Sequence, residues 1–187
     1  MKLGPKAQSV TEAGMPDGFI SPLAYHPQIL DGGYTRLEIS APSERLKIVH
    51  QALIKAIKGP YKVRYVQMTS RANGQLPKPK SFVGVEITQT RLMQAIDAFG
   101  PLLYHDGRCQ FWILGALNEQ LVIDEIGMMY LYPDDPSFQH ILNQLGWHNM
   151  PHQSMASRDY VRVNFLSEAD ALEASLIQSL GLVEWDG

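Results

Sequence analysis

The sequence predicts an α+β fold in which a largely antiparallel or mixed sheet carries about four helices, packed mainly on one face. Two observations lead to this prediction. Strand-like alternation is followed by helical spacing and a second strand at residues 34–69, and the same order recurs at residues 160–185. These two strand–helix–strand units bracket a series of short apolar runs joined by tight turns, which is typical of a β-meander.

Residues 1–33 differ from the rest of the chain because they are rich in turn formers. Pairs such as Gly4-Pro5 interrupt regular structure. We therefore expect residues 1–33 to form an N-terminal arm that wraps the domain or frays. Residues 34–187 are expected to form a single α+β domain, since a chain of this length can bury a substantial core.

The first unit begins with alternating apolar and polar residues at 34–40, which predict a half-buried strand. Apolar residues then recur at helical spacing over about 44–58, and Gly59-Pro60 ends this predicted helix. Alternation predicts a second strand at 62–69. The elements expected after this unit are a polar loop at 70–81, a strand at 82–88 and a helix that ends at Gly100-Pro101.

The meander is expected to start with a short strand at 102–104, before a tight turn. The strands expected after that turn are 109–114, 120–124 and 128–132. Asp135 suits the N-cap of the next helix, and Pro136 suits its first turn. The remaining elements are an irregular loop at 147–157, a strand at 160–165, a helix that ends at Gly181 and a short strand at 182–185.

Composition limits the class of protein to which the chain can belong. Of its 187 residues, 45% are hydrophobic and 19% are charged, which is typical of a globular and not of a disordered protein. No apolar run has the length of a signal peptide or of a membrane span, so no membrane partner is expected. Cys109 is the only cysteine, which excludes an intrachain disulfide and favours a reducing compartment, here the cytoplasm.

The net charge of −3 hides a strong separation of charge along the chain. The basic segment, residues 45–85, contains nine lysine and arginine residues and no acidic residue. Residues 86–187 contain 14 acidic residues and only four basic ones. A basic surface concentrates anionic partners and speeds their encounter. The charge separation is therefore the best indication of function in the sequence.

The candidate binding residues all lie in the basic segment. Lys62 and Arg64 alternate with apolar residues on a predicted strand, so they share one face of it. The full candidate set is Lys55, Lys58, Lys62, Arg64, Arg71, Lys78 and Lys80. If these side chains converge, they form one positive surface. If the acidic region packs beside them, the charges only balance one another and carry no function.

We interpret the chain as a non-enzymatic binding or regulatory module that uses the basic segment against an acidic protein or another anionic partner. Nucleic acid is a second class of partner. Strong nucleic-acid binders usually have a pI above about 9, whereas the pI of this chain is about 6.0. A salt-sensitive homodimer, in which the basic segment of one copy meets the acidic region of another, is a further alternative.

The alternative from a different functional class is a small enzyme whose polar groups converge only in three dimensions. Its candidates lie at or near predicted strand ends and are Asp124, Glu125 and Asp134, with His105 or His140 nearby. Carboxylates in such places suit acid–base chemistry or a hard cation, but roles in turns and helix caps explain them equally. No nucleophile motif or phosphate-binding loop occurs, so we assign no catalytic residue, no metal ligand and no cofactor.

Overall fold

The computed structural model describes residues 3–69, 79–151, 153–163 and 165–185. Its helices are α1 (Ser43–Ala56), α2 (Gln89–Ala98), α3 (Gly100–His105), α4 (Pro136–Gln144) and α5 (Ala169–Leu180). Its strands are β1 (Ala7–Ser9), β2 (Ala24–Ile29), β3 (Thr35–Ser40), β4 (Tyr61–Gln67), β5 (Lys80–Ile87), β6 (Cys109–Leu114), β7 (Gln120–Ile123), β8 (Met129–Tyr132), β9 (His148–Asn149), β10 (Tyr160–Arg162) and β11 (Val183–Trp185).

Nine of these strands form one mixed sheet in the order β11-β5-β4-β6-β7-β8-β3-β2-β9. Its neighbouring strands are antiparallel except for β2 and β9, which are parallel. The unit β3–α1–β4 leaves a gap between its two strands, and the meander β6–β7–β8 fills that gap. The second unit contributes β11 to an edge of the main sheet, whereas β10 pairs with β1 in a separate antiparallel ribbon.

The helices pack on one face of the main sheet, and the core lies between these two layers. Leu53 of α1, Ile113 of β6 and Leu131 of β8 are fully buried members of this continuous cluster. The prediction of an α+β fold with helices mainly on one face of a mixed sheet is therefore confirmed. None of the helices in the described residues combines the length and the apolar composition that crossing a bilayer requires.

The predicted short strand at 102–104 is wrong, because α3 occupies this position. Leu102, Leu103 and Tyr104 form an apolar run that is too short to carry a period, so it does not distinguish a strand from a helix. Pro101 lies in the first turn of α3, where its missing N–H leaves no hydrogen bond unmade. The glycine–proline pair at 100–101 therefore opens a helix as well as following one.

Two strands lie in the turn-rich residues 1–33, where the sequence pattern indicates none. Strand β2 pairs with β3 along its whole length, although Pro27 lies within it. The pairing of β9 with β2 involves only Ala24 and Tyr25, so the outer side of β2 at Pro27 has no strand partner among the described residues. A proline is tolerated at such an edge because it removes no ladder hydrogen bond there.

The N-terminal strap, residues 3–21, is fixed to one end of the main sheet by a buried lysine. Lys6 is only 1% exposed. Its Nζ donates hydrogen bonds of 2.8 Å to the carbonyl oxygens of Cys109 and Asp124, which lie at the start of β6 and just after β7. The ammonium group also lies 3.9 Å from Cys109 Sγ. These contacts fix the start of the strap.

An ion pair fixes the other part of the strap. Arg158 Nη2 lies 2.6 Å from Asp17 Oδ2, and the Ser9 hydroxyl donates to the same oxygen at 2.7 Å. The guanidinium group of Arg158 also stacks on Phe19 at 4.4 Å from the ring centre. The hydrogen bond from Arg158, followed by that from Ser9, lowers the pKa of Asp17 from 3.8 to about 2.

The stability contributed by Asp17 is expected to depend on pH in a defined window. Because folding lowers its pKa, the contribution is complete above the unfolded value of 3.8 and is lost as the pH falls toward about 2. The difference in unfolding free energy between the wild type and Asp17→Asn should therefore be constant above about pH 5 and shrink below it. Urea unfolding across this pH range measures the difference. A difference that does not change with pH would contradict this role of the ion pair.

Candidate binding groove on the open face of the sheet

Side chains of the central strands alternate between the helix layer and the opposite face of the sheet, which we call the open face. On β4, Val63 and Tyr65 point into the core and are fully buried. Lys62 and Arg64 alternate with these two residues along the strand and therefore share the open face. Trp112 of β6 is the cross-strand neighbour of Arg64 and lies on the same face.

Arg64 lies between two tryptophan rings. Its guanidinium carbon is 5.6 Å from the ring centre of Trp112 and 5.4 Å from that of Trp185. Both distances are within the range of a cation–π contact. The Ser81 hydroxyl oxygen accepts hydrogen bonds from Nε at 3.2 Å and from Nη2 at 2.8 Å. The guanidinium group is thus held in one position, while Nη1 makes no hydrogen bond to the described residues.

A β-bulge in β5 shapes the surface beside Lys62. Val83 and Val85 lie on the open face. Regular alternation would place Ile87 on the same face, but Ile87 is fully buried in the core. The change of face coincides with a register shift in the β4–β5 pairing and with a left-handed φ of 55° at Glu86. An extra residue on one strand of a pair reverses the alternation beyond it. The bulge therefore leaves Val85 63% exposed on the open face.

The close approach of two chain segments positions Trp185 at the edge of the sheet. A Cβ atom on Gly84 would lie 2.7 Å from Leu182 Cδ2, so only glycine lets Leu182 pack this closely on β5. The next residues form β11, in which Trp185 is the cross-strand neighbour of Ser81. The Trp185 side chain contacts Arg64 and remains 53% exposed, so its ring is accessible to a ligand.

These side chains enclose a groove of about 480 Å³, which we call the tryptophan groove. Its lining combines two cations with apolar side chains: Lys62, Arg64, Val83, Val85, Trp112 and Trp185. No carboxylate belongs to the lining that the described residues provide. Lys62 is exposed and forms no ion pair with any described residue. The groove is therefore apolar and positively charged, with no counterion from this part of the chain.

The other basic candidates lie away from the tryptophan groove. Lys55 is exposed on α1, in the helix layer, and Lys58 follows the end of that helix. Lys80 alternates with Ser81 on β5 and points away from the open face, where its Nζ lies 2.9 Å from a carboxylate oxygen of Glu184. The structure thus brings Lys62 and Arg64 together in the tryptophan groove, whose lining includes none of these three lysines.

Two further candidates, Arg71 and Lys78, lie outside the described residues. No local sequence pattern joins the two tryptophans of the groove, because Trp112 and Trp185 are far apart along the chain. Alternation in β6 indicates on which face Trp112 lies. The pairing of β11 with β5 brings Trp185 beside it, and no local pattern encodes that pairing.

Asp124, the first enzyme candidate, has a structural role in the turn after β7. Its Oδ1 accepts hydrogen bonds from the backbone N–H groups of Ile126 at 3.0 Å and Met128 at 2.8 Å. Burial raises the pKa of Asp124 from 3.8 to about 7, which is a value suited to proton transfer. The carboxyl group does not belong to the lining of the tryptophan groove, however.

The side chains of the remaining enzyme candidates each form a hydrogen bond with a different residue. The partners are Gln110 for Glu125, Gln139 for Asp134, the Gly4 carbonyl for His105 and Gln144 for His140. No hydrogen bond joins two of the five enzyme candidates within the described residues. The same part of the chain contains no group of three His, Cys, Asp or Glu side chains that could hold a metal ion.

A second groove, of about 360 Å³, lies between the strap and the start of α1. Lys6 is the lysine that lines it, and its ammonium group already donates to two carbonyl oxygens. Glu44 adds a carboxylate to the lining. This groove therefore offers an anionic partner no uncommitted cation.

The tryptophan groove thus has the accessible aromatic rings, the cations and the volume that ligand recognition requires. Arg64 is held rigidly, and Lys62 is exposed beside it. Comparisons of the chain with protein-family models, with curated proteins and with solved structures gave no match.

Proposed function

We propose that the protein is a binding module that holds an extended, acidic segment of a partner protein in the tryptophan groove. The observation that carries this proposal is the presence of Lys62 and Arg64 in a groove whose described lining includes no carboxylate. Opposite charges across an interface steer the encounter and fix its register. An acidic segment supplies the counterions that the lining lacks. The lone cysteine, Cys109, is consistent with a cytoplasmic setting for this interaction.

The aromatic side chains of the groove favour a polypeptide partner. Tryptophan and arginine are enriched among the residues that contribute most to protein–protein binding. Trp112 and Trp185 provide flat apolar surfaces, and they hold Arg64 between them. A guanidinium group fixed in advance loses little conformational freedom when it binds a carboxylate. The groove therefore suits a segment in which acidic residues alternate with aromatic or aliphatic ones.

The number of cations favours an acidic peptide over nucleic acid. Nucleic-acid affinity depends mainly on the neutralisation of many phosphates, whereas two cations line this groove within the described residues. The net charge of −3 adds a weak general repulsion toward a polyanion. A short segment with a few carboxylates needs only the two cations.

The proposal is tested with a labelled peptide of about eight residues in which glutamate and phenylalanine alternate. Fluorescence anisotropy is expected to show binding at low salt that weakens as salt is added. A peptide with lysine in place of glutamate is the matched control and should not bind. The absence of binding by the glutamate peptide at low salt would refute the proposal. Tighter binding of single-stranded RNA than of the peptide would replace it with a nucleic-acid function.

A further inference from the structure

A second arginine lies on the open face at the opposite side of the main sheet. Arg36 of β3 has its guanidinium carbon 4.5 Å from the ring centre of Tyr130. Its Nη1 donates to the Tyr132 hydroxyl at 3.0 Å, and its Nε donates to Gln28 Oε1 at 2.7 Å. Arg36 is therefore held against aromatic rings, as Arg64 is.

The amide group of Gln28 is itself fixed. Its Nε2 donates to Glu38 Oε2 at 3.1 Å, which directs its oxygen toward Arg36. The Glu38 side chain is 8% exposed and lies on the next row of the sheet, beside Tyr130. Within the described residues no hydrogen bond occupies Arg36 Nη2. Arg36 thus has one donor group available to a ligand.

The strand register connects Arg36 directly to the tryptophan groove. Lys62 pairs with Leu114, Leu114 with Gln120, and Gln120 with Tyr132. The hydrogen bond from Arg36 to the Tyr132 hydroxyl continues this row into β3. Four strand spacings of about 4.8 Å separate Lys62 from Arg36, so the backbones of the two residues lie about 19 Å apart along this row.

The apolar cluster of the N-terminal strap lies at one end of the sheet, away from the row between the two cations. The strap residue Ala7 belongs to this cluster together with Ile126 and Met128, and Phe19 and Tyr130 pack against it, at the end of the sheet where β7 ends and β8 begins. The row from Lys62 to Tyr132 crosses the other end of these strands. An extended peptide advances about 3.3 Å per residue, so side chains at positions i and i+6 lie on one face about 20 Å apart.

We propose that Arg36 is a second anchor for the same acidic segment, which crosses the strands with two carboxylates about six residues apart. This inference rests on the proposed function, because it assumes that the tryptophan groove binds the first carboxylate. Recognition then depends on the spacing of the acidic residues as well as on their presence. Two moderate contacts joined by one chain reinforce each other when the spacing fits.

The test compares two labelled peptides of equal length and composition, each with two glutamates. In the far-pair peptide the glutamates are about six residues apart, and in the near-pair peptide they are about two apart. Wild-type protein is expected to bind the far-pair peptide about tenfold more tightly. Arg36→Gln should remove this advantage and leave the near-pair affinity unchanged. Lys55→Gln, which removes a positive charge from the helix layer, should leave both affinities unchanged.

The outcomes separate this inference from the proposed function. Equal affinity for both peptides in the wild type would overturn the second anchor while leaving the groove as a binding site. An Arg36→Gln variant that keeps the tenfold preference would also overturn it, whatever its stability. If neither peptide binds, the proposed function fails and this inference fails with it. The spacing comparison in the wild type needs no variant, so a folding defect in Arg36→Gln cannot obscure the result.

Discussion

Charge reversal at both cations of the groove, Lys62→Glu with Arg64→Glu, is expected to weaken binding of the glutamate–phenylalanine peptide by about 100-fold. Each cation contributes a charge-assisted contact with a carboxylate, and each new glutamate adds repulsion. Arg64 is the more important of the two, because the tryptophan rings and Ser81 hold it in place before the peptide arrives. Anisotropy titrations at low salt measure the loss.

The matched control is Lys55→Glu, which changes the net charge in the same direction but on the helix layer. We expect it to change the affinity by less than about twofold, since an exposed charge on the other face is screened by salt. Lys62→Glu alone separates an effect on binding from an effect on folding. Lys62 forms no ion pair with the described residues, so its replacement should not disturb the fold. If Lys55→Glu and Lys62→Glu lower the peptide affinity equally, only the net charge of the protein matters and the tryptophan groove is not the binding site.

Replacement of Lys6 by methionine is expected to destabilise the protein by about 3 kcal/mol. Methionine has a similar length, so it fills the space but leaves the carbonyl oxygens of Cys109 and Asp124 without the donor they have now. Because the strap is joined to the sheet at this point, the loss should be accompanied by release of the strap. Urea unfolding measures the first effect, and limited proteolysis within residues 3–21 measures the second.

The control for this variant is Lys55→Met, which removes an exposed lysine from α1 and should change the unfolding free energy by less than about 0.5 kcal/mol. A Lys6→Met variant as stable as the wild type, with an equally protected strap, would mean that the two hydrogen bonds of Lys6 contribute no net stability. Neither variant touches the tryptophan groove, so peptide affinity should be unaffected in any folded sample.

Elements with strong local signals could be predicted from the sequence. Asp135 accepts a hydrogen bond from the Ser137 N–H at the start of α4, and Pro136 opens the helix, as their positions indicate. The amphipathic spacing over 44–58 likewise corresponds to α1. These signals are local: a cap, a proline or a periodic face acts within a few residues.

The parts that could not be predicted depend on contacts between distant segments. Strand β2 contains a proline and has no alternation that distinguishes it from a loop, so only its pairing with β3 defines it as a strand. The candidate site shows the same limit. Alternation placed Lys62 and Arg64 on one face, but it could not show that Trp185 closes the groove around Arg64 or that Lys80 pairs with Glu184.

Quenching of tryptophan fluorescence by acrylamide tests the binding site most directly. Trp147 is fully buried, so accessible fluorescence comes from Trp112 and Trp185, both of which line the groove. We predict that the glutamate–phenylalanine peptide protects this fluorescence from acrylamide at concentrations that saturate the anisotropy signal, and that Trp185→Phe removes most of the protection. Saturating peptide that leaves quenching of the wild type unchanged would contradict the account, because the peptide would then be bound away from the tryptophan groove.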